Sequence, residues 1–511
     1  MDILEWIDVG KISAERDDQL SEYFYDNGVL TRVINSRSLF LVLGRKGAGK
    51  TAVFKYLSEN PSKFLGRDDQ LISLSFEDYN WNVHSLLINR DSAESLAYKQ
   101  SWRFVLLVEV IKAHVQHLEA SGAVIPMSLA KAKKLLQKLF DEPIPSIYSI
   151  VGRKLLSLSR LSLPKGGLDL ESGEIDSLEL NGGEVSFDTV QKDTSLQDRL
   201  SQNIENIIRL LENAISQCQP LKPRIYIAFD RVDEAWDDIS VESSKKVIAG
   251  LISAADSINA QYNASIRPIV FLREDIFDVL SINDANKLRE DCGALLHWDR
   301  DSLFKLVLQR INFFAEQNKV EKIQDLDTLF DKKEMRQRTR PSNYLLKRAM
   351  MRPRDLICFM RRIIDTMKER AADPFAETTE TFTALQAELI YDAEPGYSEW
   401  LKQELLDEWA VQFPDIRKLF DAIQNIGSTN ITCDQLIGEF GKMGTTLQRG
   451  EALRHLRFLF DNSIIGFKSG ASTIWKYKCF YPSQGFVETD DYRVHDGIVR
   501  SLNLKEPRER E

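Results

Sequence analysis

The chain has 511 residues, so at roughly 150 residues per domain it holds two or three domains and is not one small fold. Hydrophobic residues make up 43% and charged residues 28%, which excludes a disordered or fibrous chain, and no apolar run reaches the roughly 18 to 20 residues that span a bilayer. Lys plus Arg number 67 against 77 Asp plus Glu, a net charge of −10, so any binding to nucleic acid must come from a local patch.

In chain order, Ser13 fits the N-cap of a short helix over 13–25 with Glu15 in its first turn, and 28–35 fits a second, making 1–36 an N-terminal helical segment. Acids at Asp2, Glu5 and Asp8 stand where a basic leader would lie, and the expectation is a cytoplasmic protein that avoids membranes. The apolar run 39–43 reads as a buried strand, followed by a glycine-rich turn, an amphipathic helix over 51–58 and a second strand over 71–76. Strand, turn, helix, strand implies a parallel α/β sheet. Residues 77–220 read as a mostly helical insertion, with helices over 101–119 and 129–140 and an acidic, glycine-containing tail over 163–198 that suits a solvated hairpin or disorder. Strands over 225–229, 266–272 and 294–298, with a helix over 243–258, close an α/β core at 37–300. A helical lid over 301–370 follows, then a linker over 371–396 holding Pro374 and the Pro395-Gly396 turn pair, then a C-terminal domain over 397–505. The five cysteines form no CxxC pair and read as reduced; His114 and His117 share a helix face but lack two further ligands for zinc.

Gly44-Arg45-Lys46-Gly47-Ala48-Gly49-Lys50-Thr51 fits GxxxxGK[ST] between a buried strand and a helix. In such a loop the glycines let backbone N–H groups turn inward around phosphates, Lys50 places a point charge on the β/γ oxygens, and the Thr51 hydroxyl ligates Mg²⁺. The second element is 225–230, a hydrophobic strand ending in Asp230, which is suited to hold Mg²⁺. Asp233 and Glu234 follow; a carboxylate just past the strand can orient or deprotonate the attacking water, and Glu234 is the expected base. A solvated acidic loop is the competing reading for 233–238, and Asp237 and Asp238 are assigned to it.

Through the GRKGAGKT loop and the FDRVDE strand end, the sequence resembles a STAND-type P-loop NTPase, the group that includes NACHT and KAP ATPases. More narrowly it is similar to a family of bacterial P-loop ATPases, by Ala14-Glu15, Gly44-Arg45-Lys46-Gly47, His297-Trp298 leading into 303–311, and Arg352-Pro353-Arg354-Asp355, together covering most of 10–365. The resemblance implies ATP rather than GTP, and no NKxD for guanine occurs in the chain. It also implies that Arg273, closing the fourth strand, reads the γ-phosphate. Arg354 resembles a sensor arginine: Pro353 fits the first position of a helix, and Arg354 would project from its first turn. The competing reading is a solvated basic face, since 331–370 holds 13 Lys/Arg against 5 Asp/Glu.

Helices over 416–426, 433–440 and 450–462, then strands over 464–467 and 474–479 around a turn at 468–471, suggest a winged helix. Its segment 449–480 carries six Lys/Arg and two acids, and winged helices dock either DNA or protein. The fold expected is therefore an ASCE-type parallel P-loop sheet with a large helical insertion, a helical lid and a C-terminal winged helix. The function expected is a slow ATP-hydrolysing, homo-oligomeric switch that sets the position of the winged helix for a separate effector, in bacterial defence or signalling. A rival is a DNA-binding ATPase clamp or loader resembling origin-recognition ATPases, contacting DNA through the winged helix and the basic 331–370 stretch.

Overall fold

The computed structural model describes residues 2–76, 84, 94–140, 158–160, 193–218, 222–234, 241–372, 381–468, 470 and 474–505. Of the expected hairpin or disordered tail at 163–198, residues 163–192 lie outside them, as do Asp237, Asp238 and part of the 468–471 turn. The end of that tail is corrected: 194–198 open the helix Thr194–Ser216, capped by Asp193. The chain groups into two compact units: Gly28–Arg45 with Lys50–Leu296, and Met1–Asn27 with Lys46–Gly49 and His297–Glu511.

Among the described residues, the first unit is built on a five-stranded parallel sheet in the order β2-β3-β4-β1-β5, with β1 at Leu41–Gly44, β2 at Gln70–Ser75, β3 at Ile225–Asp230, β4 at Ile266–Arg273 and β5 at Gly293–Leu295. β4 is inserted between the P-loop strand and the strand that ends in Asp230, which is the ASCE arrangement. β1, β3 and β4 are buried along their whole length, hence their largely apolar runs, which Arg267 interrupts on β4. Helices Glu94–Ala120, Met127–Phe140, Thr194–Ser216 and Val241–Gln261 share the sheet's apolar core. At its centre Trp102 is fully buried, donates from Nε1 to Val247 O at 2.9 Å and meets Phe76 edge-on, while Phe76 stacks on Phe229. Truncating such a side chain to Ala costs about 3–5 kcal/mol. Buried Arg267 on β4 donates to Val33 O and Ile34 O, satisfying carbonyls that the end of helix Val29–Asn35 leaves open.

In the second unit the expected 13–25 helix is two pieces, a 3₁₀ turn at Ala14–Arg16 and a single helical turn at Leu20–Tyr23, and Ser13 makes no cap bond. Between them Asp17, 2% exposed, accepts the Tyr23 phenol at 2.5 Å and pairs with Arg310, so a tertiary ion pair holds the chain out of helical register. The helices expected after 300 are Arg300–Gln317, Pro341–Arg348 and Pro353–Ala371.

The reading of 389–396 as linker with a turn at Pro395-Gly396 is corrected: both residues lie inside one helix, Leu389–Trp409. An interior proline costs a helix about 3 kcal/mol. Burial of Leu389, Ile390, Ala393, Tyr397, Leu401 and Leu405 against Pro353–Ala371 exceeds that cost. Tyr397 stacks on Phe359 at 4.2 Å, and the bare Gly396 lets the Arg362 guanidinium approach.

The C-terminal part has helices Ile416–Ile426, Cys433–Lys442 and Arg449–Asp461 and an antiparallel sheet in the order β6-β8-β7, with β6 at Asn430–Ile431, β7 at Ile465–Phe467 and β8 at Tyr492–Val494. The expected second hairpin strand over 474–479 is corrected. It reduces to a single bridge of Lys476 to Phe467, while β8 pairs with both other strands. The alternation that suggested a strand buries Tyr477, whose hydroxyl donates to Val494 O, and leaves Ile474 exposed.

Candidate functional site

The loop that follows β1 owes its shape to two glycines in the left-handed region, Gly47 at φ +78° and Gly49 at φ +97°, where a side chain would be strained. Lys50 opens the helix Lys50–Glu59, and its Nζ donates back to Gly44 O at 3.1 Å and Arg45 O at 3.3 Å. Burial pushes the Lys50 ammonium below its usual range; Asp233 and Asp230 offset that and Arg273 adds to it. An ammonium so held lacks its hydration shell and is matched to a multiply charged anion.

Asp230 closes β3, 2% exposed, and accepts from the Thr51 side chain. Its carboxyl is pushed up to about 6, first by burial and then by the charge of Asp233. A buried carboxylate beside a hydroxyl, its proton affinity raised by burial and by Asp233 while Lys50 favours its charge, is a donor pair fitted to a hard divalent cation. Thr51 and Asp230 would hold Mg²⁺, and Gly44 to Thr51 would hold the phosphates of ATP.

Arg231, directly after Asp230, is left-handed at φ +59°, and the chain then makes the 3₁₀ turn Val232–Glu234. That turn separates the two candidate bases: Asp233 acts electrostatically on Lys50 and Asp230, whereas Glu234 is ion-paired with Arg231 at 3.2 Å. In the sheet register Arg273 lies opposite Gly44, the first loop residue. Its side chain, 9% exposed, makes two bonds to Asp275, Nε to Oδ1 at 3.1 Å and Nη2 to Oδ2 at 2.8 Å.

In the other unit, loop residues Lys46 to Gly49 lie against 297–354. Trp298 Nε1 donates to Ala48 O at 2.8 Å, and Arg352 Nη1 reaches Lys46 O at 3.4 Å. A Cβ on Gly47 would stand 3.3 Å from Arg354 Cβ. Arg354 is paired and partly exposed: its Nη1 bonds Glu404 at 2.8 Å. Arg352 is buried in a triad with Asp355 and Glu408, both within 3.1 Å.

The sequence pointed to Arg354, marked Arg352 and Trp298 only through the family resemblance, and left Glu404 and Glu408 unnoticed. One signal was present: the helix Leu389–Trp409 carries six acids and a single lysine, complementary to the basic stretch before it. Much of that stretch is neutralised inside the unit, since Lys332 and Arg336 pair with Glu388, Arg348 with Glu394 and Arg370 with Asp392. In the C-terminal part Arg449, Arg454 and Arg457 likewise face Glu488, Glu451 and Asp461.

Residues 301–406 match the family described as the FunZ-associated C-terminal helical domain. Over 520 aligned positions the chain is 26% identical to the putative transposon gamma-delta 80.3 kDa protein of Escherichia coli (strain K12), covering 97% of this chain and 67% of that protein. Among solved structures, Cdc6p from Pyrobaculum aerophilum and Drosophila ORC bound to DNA each align at 10% identity over 97% of this chain, covering 93% and 88% of theirs. Both have a TM-score of 0.30. No helix among the described residues is long and apolar enough to cross a membrane.

Proposed function

We propose that the chain is an ATP-binding and ATP-hydrolysing switch of STAND-like type. The observation that carries this reading is the set Lys50, Thr51 and Asp230, gathered at the carboxyl ends of β1 and β3 with the donor chemistry a Mg²⁺-nucleotide requires. When bound, Mg²⁺ supplies charge neutralisation between the β- and γ-phosphates. Lys50 holds the β/γ oxygens, Arg273 is available to the γ-phosphate once it leaves Asp275, and Glu234 orients the attacking water once it leaves Arg231. Arg354 senses the γ-phosphate beside Gly47 and passes its position to the helix Leu389–Trp409 and thence to the C-terminal part. There the order helix, strand, helix, helix, strand, strand supports a winged helix that docks a separate effector, in a homo-oligomer working in bacterial defence or signalling.

The test is nucleotide binding and phosphate release by wild type, Lys50→Ala, Glu234→Gln and Asp233→Asn. Lys50→Ala should abolish tight ATP binding, because it removes the side-chain cation on the β/γ-phosphates. Glu234→Gln should keep ATP and slow hydrolysis; that phenotype in Asp233→Asn alone would move the base to Asp233.

A DNA-binding ATPase is the second reading. Lys333, Arg338, Arg340 and Lys347 favour it, because they are exposed with no acid partner among the described residues, and the relative's name is that of a transposon protein. Affinity for duplex DNA that rises with ATP and falls steeply with salt would support it over the effector-docking switch.

A further inference from the structure

Two arginines at the start of the helix Pro353–Ala371 meet two glutamates one helical turn apart on Leu389–Trp409, and the two pairs differ in kind. Arg352 and Glu408 are 6% and 4% exposed, and Arg352 also bonds the buried Asp355, so exchanging either partner would strand a charge away from water. Arg354 and Glu404 are 29% and 27% exposed. A pair that wet is worth only a few-fold in an equilibrium constant and is readily exchanged. The Arg354 Cβ also stands beside Gly47, within the loop that would wrap the phosphates.

Resting on the nucleotide-switch reading above, we infer that Glu404 is a phosphate surrogate: it occupies the Arg354 guanidinium when no γ-phosphate is present and competes with the γ-phosphate of ATP, so that it sets the preference for ATP over ADP. A guanidinium fork donates to carboxylate and phosphate oxygens in the same geometry, so one can replace the other without rebuilding the site. ADP lacks the competing group and leaves the pair intact. Arg352 and Glu408 act as the pivot that stays closed while Arg354 changes partner. The acidic helix also holds the C-terminal part, because Ser398 Oγ accepts the Ser501 N–H at 3.0 Å. By linkage, a partner that draws Glu404 away from Arg354 raises affinity for ATP by the same factor that ATP raises affinity for the partner.

The experiment is calorimetric titration of the full chain with a non-hydrolysable ATP analogue and with ADP, for wild type, Glu404→Gln, Arg354→Ala and the double variant. Glu404→Gln is expected to tighten the analogue about three- to fivefold, the range of an exposed to half-buried pair, with ADP unchanged. The double variant should match Arg354→Ala alone, because Glu404 acts only through Arg354. Glu404→Asp, which keeps the charge, should stay near wild type and separates loss of competition from damage to the helix. An unchanged ATP-to-ADP ratio in Glu404→Gln, or a double variant that differs from Arg354→Ala, overturns the surrogate while leaving nucleotide binding in place. If wild type binds neither nucleotide, the nucleotide-switch reading fails and the surrogate fails with it.

Discussion

Replacing Arg352 by Ala removes the one cation of a buried triad. Asp355 is 0% and Glu408 4% exposed on their side chains, and Arg352 bonds both while its Nη1 also reaches the Lys46 carbonyl. Without the guanidinium, Asp355 keeps, among the described residues, the Met350 N–H at 2.9 Å, and Glu408 loses a 3.0 Å partner. Stranding buried carboxylates in this way costs about 3–5 kcal/mol, a large part of the stability of an ordinary domain. With a urea slope of about 3 kcal/mol per molar, the unfolding midpoint of this unit should fall by about 1–1.7 M. Arg352→Lys should recover less than half of the loss, since an ammonium cannot reproduce the fork that spans two carboxylates and a carbonyl. The assay is equilibrium urea unfolding followed by tryptophan fluorescence, since Trp409 and Trp298 report on the same unit. An Arg352→Ala midpoint within about 0.3 M of wild type, a loss of under about 1 kcal/mol at that slope, would mean that the triad is not the buried ion cluster described and would refute the reasoning.

Trp298→Phe keeps most of the apolar contact but leaves the Ala48 carbonyl without its 2.8 Å donor; a loss of about 1–3 kcal/mol in stability is expected, with ATP affinity weakened several-fold, by melting and titration. His84 is fully buried, stacked on Trp102 and bonded to Ser101 at 2.6 Å, and burial pushes its pKa down to about 3. Its folded value lies below the unfolded value near 6.5, so the unfolded state takes the extra proton, and the contribution present at neutral pH is lost as pH falls through 6.5. Between pH 7 and 5 that amounts to about 2 kcal/mol. His84→Leu should remove that part of the acid sensitivity, and an identical decline in both proteins would show that His84 is not buried neutral.

The P-loop and the Asp230 strand were legible in the sequence because each is local: strand, loop and helix follow one another within a few residues, and the backbone angles that make the loop are demanded by glycines at fixed spacing. The same locality made Pro353 readable as a helix start. The five strands of the sheet could likewise be located from their apolar runs, although their order could not. That β4 stands between β1 and β3 depends on which faces bury together across more than 200 residues of chain.

Where a local preference competed with burial, tertiary structure decided. Pro395-Gly396 is a turn signal that the apolar stripe of Leu389–Trp409 overrides, and the 474–479 alternation yields to β8, which pairs with β6 and β7 at long range. The partners of the arginines belong to the same class. Glu408 lies 56 residues from Arg352 and Glu404 50 from Arg354, and nothing in a one-dimensional pattern says which of thirteen basic residues meets which acid. Sequence fixes charge and helical period; only the packing of two helices removes water from one pair and leaves the other half exposed, and that difference in hydration separates a pivot from an exchangeable contact.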